Sequence, residues 1–497
     1  MPKKNILLFL GPVFIILGIQ LMLTVLTNQT GELSGLLKYG GATLAIVSFI
    51  SPKLGMVFLS VYCFYGDYLK KLAVYYGEAN MLTVMEVLAV GMALLGSILA
   101  GAFVKCILRG PRPDKITIML TLATVLFTGM IFLSGDGMAE RVQSAVNGGL
   151  YFGVAPLICW LYKDREEAMG ICRLHFFLGI PSVIVAIYQY FNGFSFMDWW
   201  YAYTGFSPVY SSQMLMSESP RVFGLFGSAS AFGVLPYLFT FGLWQIRQTN
   251  VNKILYFLGI IVYAIGLFVS TQRTILMLPI LTFIVYIVFR EPKRTLLLYG
   301  GVAFIMLSAI LLSDQILSVL PDTEANLESY RGGEWSEKVI RIGTISDRLK
   351  GWTRLKSPDS YTLFGNSEKA AADKISFQDD DYAHDSMNSI LINYGIVGIL
   401  VFLFTTIFIL RTLHRAIWRI RNEEDKSWAN LIMAIIVVNG SLTLMMGDNL
   451  HTVPINLVLF SLIGVAANAM RRGSEPELIQ EQLSGKVILT KAAYATR

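Results

Sequence analysis

His384, in Ala383-His384-Asp385-Ser386-Met387-Asn388, is the side chain best suited to moving a proton. An unperturbed imidazole titrates near about 6.5, so it accepts a proton close to neutrality. Asp379, Asp380, Asp381 and Asp385 flank it, and an apolar run of membrane length begins at residue 387. Arg331, Arg341, Arg348 and Arg354 precede it in one polar segment, Asp314 to Asp385, while Arg221 and Arg273 stand at the ends of other apolar runs. A guanidinium is permanently charged and its forked donors match phosphate oxygens, so the arginines as a set point to an anion. For any one loop arginine alone, a solvated surface role is the commoner use.

His451, in Gly447-Asp448-Asn449-Leu450-His451, is a second histidine on the same side, with Asp448 placed to orient it. His175 falls inside an apolar run and His414 on the opposite side. Three adjacent aspartates have the composition of an acidic metal motif, but in a loop they are commonly just solvated, and no metal is expected. No Walker A, Rossmann glycine set, zinc-binding helix or nucleophile elbow occurs where it would work, so no cofactor is expected either.

These groups must be positioned by helices in a bilayer. The 497 residues are 54% hydrophobic and only 15% charged, and mean hydropathy is +0.57. That is more apolar surface than a water-soluble core buries. Crossing hydrocarbon takes roughly 17 to 25 apolar residues with internally satisfied backbone, and the period-two alternation of a barrel is absent. The expected fold is an all-α polytopic membrane protein of 12–14 transmembrane helices, with one large extracytoplasmic loop before the twelfth span.

The apolar runs cover 5–26, 34–50, 54–70, 82–104, 116–134, 146–162, 170–190, 222–246, 254–271, 273–289, 296–313, 387–410, 428–446 and 453–470. The runs 34–50 and 54–70 are short and joined by Ser51-Pro52-Lys53, so a re-entrant hairpin is the alternative to two spans. The organisation expected is a membrane bundle of about eleven helices over 1–313, a loop subdomain over 314–385, three C-terminal spans over 386–472, and a polar tail over 473–497. Alternate connections hold most of the Lys and Arg near membrane ends, whereas the short loops opposite hold only Lys38, Lys70, Lys71, Arg141, Arg221 and Arg273. Basic residues stay inside, so both termini are expected in the cytoplasm and the long loop outside. The net charge of +6 is then a topology signal and no sign of nucleic acid.

Met1-Pro2-Lys3-Lys4 and the apolar run after it read as an uncleaved signal anchor. Cys63, Cys106, Cys159 and Cys172 lie in apolar runs or at their cytoplasmic ends, placed for packing and for no outer disulfide. Between 191 and 221 an aromatic cluster includes Trp199 and Trp200. Such clusters serve as interface anchors, and the same residues would also lie on lipid headgroups or stack on sugar rings.

Arg221 stands at the start of a helix as Pro220-Arg221-Val222-Phe223-Gly224-Leu225-Phe226-Gly227, whose small residues allow close approach of a neighbouring helix or a headgroup. Arg273 lies in Ser270-Thr271-Gln272-Arg273-Thr274 with almost no loop to hold it in water. An arginine so placed is costly unless it is paired or snorkels, and structural anchoring is the alternative to a site role.

Four stretches resemble, in order and spacing, the O-antigen ligase and O-antigen polymerase superfamily. They are Pro220 to Ser228, Ser270 to Thr274, Arg348 to Trp352 with Leu363-Phe364-Gly365-Asn366, and Ala383 to Asn388 continuing through Asn393-Tyr394-Gly395-Ile396-Val397-Gly398. The resemblance covers about residues 180 to 412. It implies a metal-independent integral-membrane glycosyltransferase that moves a glycan from a polyprenyl (undecaprenyl) diphosphate carrier to an acceptor hydroxyl. The acceptor would be lipid A-core or another lipid-linked repeat, at the outer face of the bacterial inner membrane. By the same resemblance Arg221 and Arg273 would hold the diphosphate, and His384 would orient or deprotonate the acceptor. Arg348, Arg354, Asp385, Asn388 and His451 are the candidate substrate-binding residues around them. Asp385 stands where the family often carries Asn.

Two other classes fit the composition. A transporter or flippase of lipid-linked oligosaccharide would use 12–14 helices too, with ionisable groups near the midplane. Glu86 is the main deep acid, but the ionisable residues gather at one face. A non-catalytic scaffold of an envelope-polysaccharide complex is the third. Ligase and polymerase are not distinguished by sequence.

Overall fold

A computed structural model describes residues 33–76, 81–109, 115–133, 149–162, 165–203, 222–227, 229–248, 251–270, 273–289, 386–417, 420, 422–446 and 453–473, and singly 301, 308 and 363. Within them lie thirteen α-helices and two short 3-10 helices, and no strand. The first half holds α1 (Leu33–Ile50), α2 (Pro52–Tyr76), α3 (Met81–Arg109), α4 (Lys115–Leu133), α5 (Val154–Leu161), α6 (Arg165–Asn192) and α7 (Phe196–Tyr203). The second half holds α8 (Leu235–Ile246), α9 (Lys253–Val269), α10 (Arg273–Phe289), α11 (Ser386–Ile417), α12 (Glu423–Met446) and α13 (Ile455–Gly473). The apolar runs 5–26 and most of 296–313 lie outside the described residues, as do the polar loop apart from Leu363 and the tail beyond 473.

Helices form where the apolar runs are because a chain in hydrocarbon must satisfy its own N–H and C=O groups. Two runs depart from that rule. The run 222–246 is not one helix opened by Arg221: residues 222–227 are an irregular turn, a 3-10 stretch covers Ala229–Val234, and α8 starts only at Leu235. The run beginning at 387 is broken at Gly395 (φ 67, ψ −164), which parts α11 into two pieces. Both breaks fall in stretches singled out above for chemistry.

Residues 33–76 form two helices, α1 and α2, that part at Ser51. α2 runs alongside α6 for its whole length, joined to it by Lys53 and Glu167 at one end and tied to the segment after α6 by Lys71 and Asp198 at the other. At 25 residues and about 1.5 Å per residue it is as tall as a bilayer core.

Close crossings are set by small residues. A side chain at Gly101 would run into the Phe49 carbonyl, and one at Gly464 would come within 2.8 Å of the Ala155 carbonyl. α13 is enclosed along its length, with Asn456, Ser461 and Asn468 buried, and Asn468 donates to the Tyr162 carbonyl at 2.9 Å. In α6, Pro181 has no N–H to offer the preceding turn. The carbonyls on either side of the one it leaves, that of Phe177, take hydroxyls from neighbouring helices: Tyr65 donates to Leu178 at 2.6 Å, and Tyr263 donates to Phe176. These bonds tie α6 to α2 and α9 where its ladder is interrupted.

Among the described residues three helices are long and apolar enough to cross a bilayer: α3 over Thr83–Lys105, α6 over Arg165–Asn192 and α11 over Tyr394–Arg415. The outward faces agree. On α9, Ile254, Phe257, Leu258, Ile261, Ile265 and Phe268 are all exposed, an apolar stripe suited to lipid and unsuited to water. Cys63, Cys159 and Cys172 are buried and in no disulfide. Glu86 sits in the second turn of α3, about 7.5 Å along the axis from its first residue. That is near one end of the bundle and away from its midplane.

Candidate functional site

The helix directions define two ends. At one, Arg165 pairs with Glu424 at 3.2 Å and Asp425 at 2.5 Å, Arg173 pairs with Glu166 at 2.6 Å, and Tyr286 bonds Ser427 at 2.8 Å. The starts of α2, α6 and α12 and the tail of α10 therefore meet there. It follows that α10 begins, at Arg273, at the opposite end. α11 also begins there, because its last residue, Ile417, leads within a few residues to the start of α12. The turn 222–227 is tied to the far end of α2 and α6. The described residues of three of the four stretches thus share one end of the bundle.

At that end irregular backbone is held by side chains. Gln189, in the last turn of α6 and buried, accepts the N–H groups of Phe223 at 3.3 Å and Gly224 at 2.8 Å. Its amide nitrogen donates to the Gly224 carbonyl and to Asp198 Oδ2, both at 3.3 Å. Ser182 Oγ accepts the Leu225 N–H at 3.0 Å, and Asp67 Oδ2 accepts the Gly227 N–H at 2.8 Å. Four backbone donors of a six-residue turn are therefore satisfied by α2 and α6. Buried amides need such partners, and here no helix supplies them.

Gly224 has φ +55, and a Cβ on it would overlap the Ser182 carbonyl. Only glycine gives both the left-handed backbone and the close approach.

Behind the turn lies a buried ion pair. Lys71 Nζ is 3.1 Å from Asp198 Oδ1 and 3.9 Å from the centroid of the Phe223 ring, a cation on an aromatic face. Asp198 and Ser195 form a capping box at the start of α7. The Ser195 hydroxyl donates to the carboxylate at 2.7 Å, the Ser195 N–H does so at 3.3 Å, and the Asp198 N–H returns to Ser195 Oγ at 3.2 Å. That exchange satisfies helix-end donors reciprocally. Lys70 pairs with Asp67 at 2.8 Å. Burial pushes the Tyr201 phenol up while the nearby Lys70 ammonium draws it partly back, so it stays protonated at neutral pH. Lys71, Asp198 and Gln189 are engaged with one another and with the turn, so the cluster fixes backbone and does not itself offer a free reactive group.

A second device joins two more stretches. The kink at Gly395 takes the Val397 N–H off the helical ladder, and the carbonyl of Leu363 accepts it at 3.3 Å. Leu363 opens the Leu-Phe-Gly-Asn stretch of the polar loop. Gly398 completes the kink, since a Cβ there would overlap the Tyr394 side chain folded back over it.

Of the expected site residues, Arg273 is the first residue of α10 and Asn388 the third of α11. Arg221, Arg348, Arg354, His384, Asp385 and His451 lie outside the described residues. Val222 and Ser386, the described neighbours of Arg221 and of the His384 stretch, are at the same end. Sequence reasoning missed Gln189, Asp198, Ser182 and Asp67. The signals were an Asp67, Lys70, Lys71 set inside one apolar run and a Ser-x-x-Asp box amid aromatics; ionisable groups at membrane depth mark function or tight pairing. Among the described residues no group of three or more His, Cys, Asp or Glu is arranged to hold a metal. No protein-family model matches the chain, and no curated protein matches its sequence.

Proposed function

We propose that the protein is an integral-membrane glycosyltransferase. It moves a glycan from a polyprenyl diphosphate to an acceptor hydroxyl at the outer face of the bacterial inner membrane, in O-antigen or exopolysaccharide ligation or polymerisation. In this reading the chain spans the bilayer 12–14 times with both termini in the cytoplasm, and the end bearing the turn faces outward. The observation that supports it most is the turn 222–227, whose backbone donors are fixed by Gln189, Ser182 and Asp67 immediately after Arg221. Transition-state charge is best met by cations that need no rearrangement, and a clamped segment gives its neighbour that property.

The reaction joins the acceptor oxygen to the anomeric carbon while the bond from that carbon to the phosphate oxygen breaks. The diphosphate leaves with the bonding electrons. Arg221 and Arg273 neutralise the charge that grows on the leaving oxygen. His384 takes the acceptor proton, a contribution of about a hundred- to ten-thousand-fold. Arg348, Arg354, Asp385, Asn388 and His451 bind donor and acceptor around that centre. The Leu363 to Val397 bond supports the same reading, since it ties the arginine-bearing loop to the helix that follows His384.

The test is transfer by the purified protein, given a polyprenyl-diphosphate glycan and an acceptor. His384→Ala and Arg273→Ala are each expected to lose at least about a hundredfold in kcat/KM. Transfer untouched by both replacements removes the site assignment, and flipping of the carrier without transfer makes the protein a transporter. A ladder of products identifies a polymerase; one addition per acceptor identifies a ligase.

A further inference from the structure

We infer that Gln189 is a positioning residue for the diphosphate-holding turn, itself locked by the Lys71–Asp198 ion pair; the inference rests on the glycosyltransferase reading for its kinetic arm only. Three elements meet at this amide. Its oxygen takes two adjacent N–H groups of the turn, at 3.3 and 2.8 Å. Its nitrogen divides between the Gly224 carbonyl and Asp198 of α7. Asp198 is in turn held by Lys71 of α2.

A glutamine in an apolar helix, 2% exposed, is costly unless all of its donors and acceptors are used. Here both ends are used, and they are used on backbone 34 and 35 residues away in the chain. Two bonds from one planar amide to consecutive N–H groups set the orientation of the peptide planes as well as their distance. The segment so oriented begins one residue after Arg221. Ser182 and Asp67 pin residues further along, so Gln189 is the restraint nearest the arginine. Its own orientation depends on Asp198, because an amide free to flip would present nitrogen to the two N–H groups.

The kinetic arm uses the full-length protein in vesicles with a polyprenyl-diphosphate glycan and an acceptor. Gln189→Leu removes both ends of the amide. It is expected to raise the KM for the donor about tenfold or more, with the KM for the acceptor unchanged. Gln189→Glu alone sets two carboxylates against each other and is expected to lose as much. Gln189→Glu combined with Asp198→Asn removes that repulsion: the new amide donates to the new carboxylate, which accepts the two N–H groups, and the net charge beside Lys71 is kept, while the Gly224 carbonyl loses its donor. The double variant is expected to recover part of the loss in donor kcat/KM relative to Gln189→Glu. A purely structural role lowers thermal stability in the single variants without moving the donor KM.

The physical arm does not need transfer at all. A nitroxide attached through Arg221→Cys, in a chain whose four native cysteines are replaced by Ser, is expected to give a broad, immobilised spectrum. Gln189→Leu is expected to narrow it, and the double variant to broaden it again. An equally immobile label in the Gln189→Leu background, with an unchanged donor KM, overturns the positioning role and leaves the glycosyltransferase reading standing. A label freed by Gln189→Leu, with the unlabelled wild-type protein transferring nothing, does the reverse.

Discussion

At position 224 the backbone demands glycine twice over, through φ +55 and through the Ser182 carbonyl against which a Cβ would press. Gly224→Ala is therefore expected to cost about 1–3 kcal/mol from backbone conformation alone, with further loss from the overlap. Thermal unfolding of the detergent-purified protein measures it, and an unchanged midpoint means that the turn is not held as described. Lys71 offers a sharper contrast. Lys71→Met strands a buried carboxylate at Asp198 and is expected to destabilise by about 3–5 kcal/mol, whereas adding Asp198→Asn removes the stranded charge and recovers most of it. Should the pair of replacements be as damaging as the single one, the ion pair is not the source of the effect. The residues of this cluster were hard to find in the sequence for a physical reason. Gln189, Ser182 and Asp67 act on backbone 35, 43 and 160 residues away, and no local pattern carries a long-range hydrogen bond. The arginines and His384 are candidates from sequence because their chemistry is intrinsic to the side chain.

The helices themselves were largely legible, since hydropathy reports which segments sit in lipid, and in lipid a helix is the default. What hydropathy does not report is backbone conformation inside an apolar stretch. Residues 222–234 and the kink at Gly395 are as apolar as their neighbours, yet they leave the α-helix because side chains or a distant carbonyl satisfy the freed groups. The kink in α11 yields a test at this scale. The conformation φ 67, ψ −164 belongs to a region reached almost only by glycine, so Gly395→Ala is expected to cost about 1–3 kcal/mol or to straighten the helix. Straightening would return the Val397 N–H to the helical ladder and release Leu363. Backbone hydrogen exchange at Val397, followed by mass spectrometry, reads the change: the amide is expected to exchange on a different timescale from wild type. Identical protection and stability in the Gly395→Ala chain would show that the kink does not couple the loop to the helix. The run 54–70 teaches the complementary lesson. Asp67, Lys70 and Lys71 end its apolar count early, while the helix itself continues to Tyr76 because those charges are paired inside the bundle.

Among the described residues the ion pairs gather at the two ends of the bundle, Lys70–Asp67 and Lys71–Asp198 at the end of the turn. Lys53, Arg165 and Arg173 meet Glu166, Glu167, Glu424 and Asp425 at one end, and the basic residues around Lys105 and Lys115 lie on that side as well. The opposite end holds the turn, the start of α10 and the start of α11. α2 and α3 fix this polarity, for they run antiparallel: Tyr62 donates to the Val87 carbonyl at 3.1 Å, and Gly55 packs against Ile98. The segment joining α2 to α3 must then emerge at the end of the turn, and the segment joining α3 to α4 at the basic end. With basic residues retained in the cytoplasm, a single cysteine introduced as Ala79→Cys is expected to react with a membrane-impermeant maleimide added to intact spheroplasts. One introduced as Pro113→Cys is expected to react only after the membrane is opened. The buried thiols of Cys63, Cys159 and Cys172 are expected to stay unlabelled in both. Reaction of both introduced cysteines from the same side would mean that α3 does not cross, and the two ends of the bundle would no longer correspond to two sides of a membrane. Reversed labelling would put the turn and the arginines in the cytoplasm, where no acceptor at the outer face could reach them, and the proposed reaction would have no site.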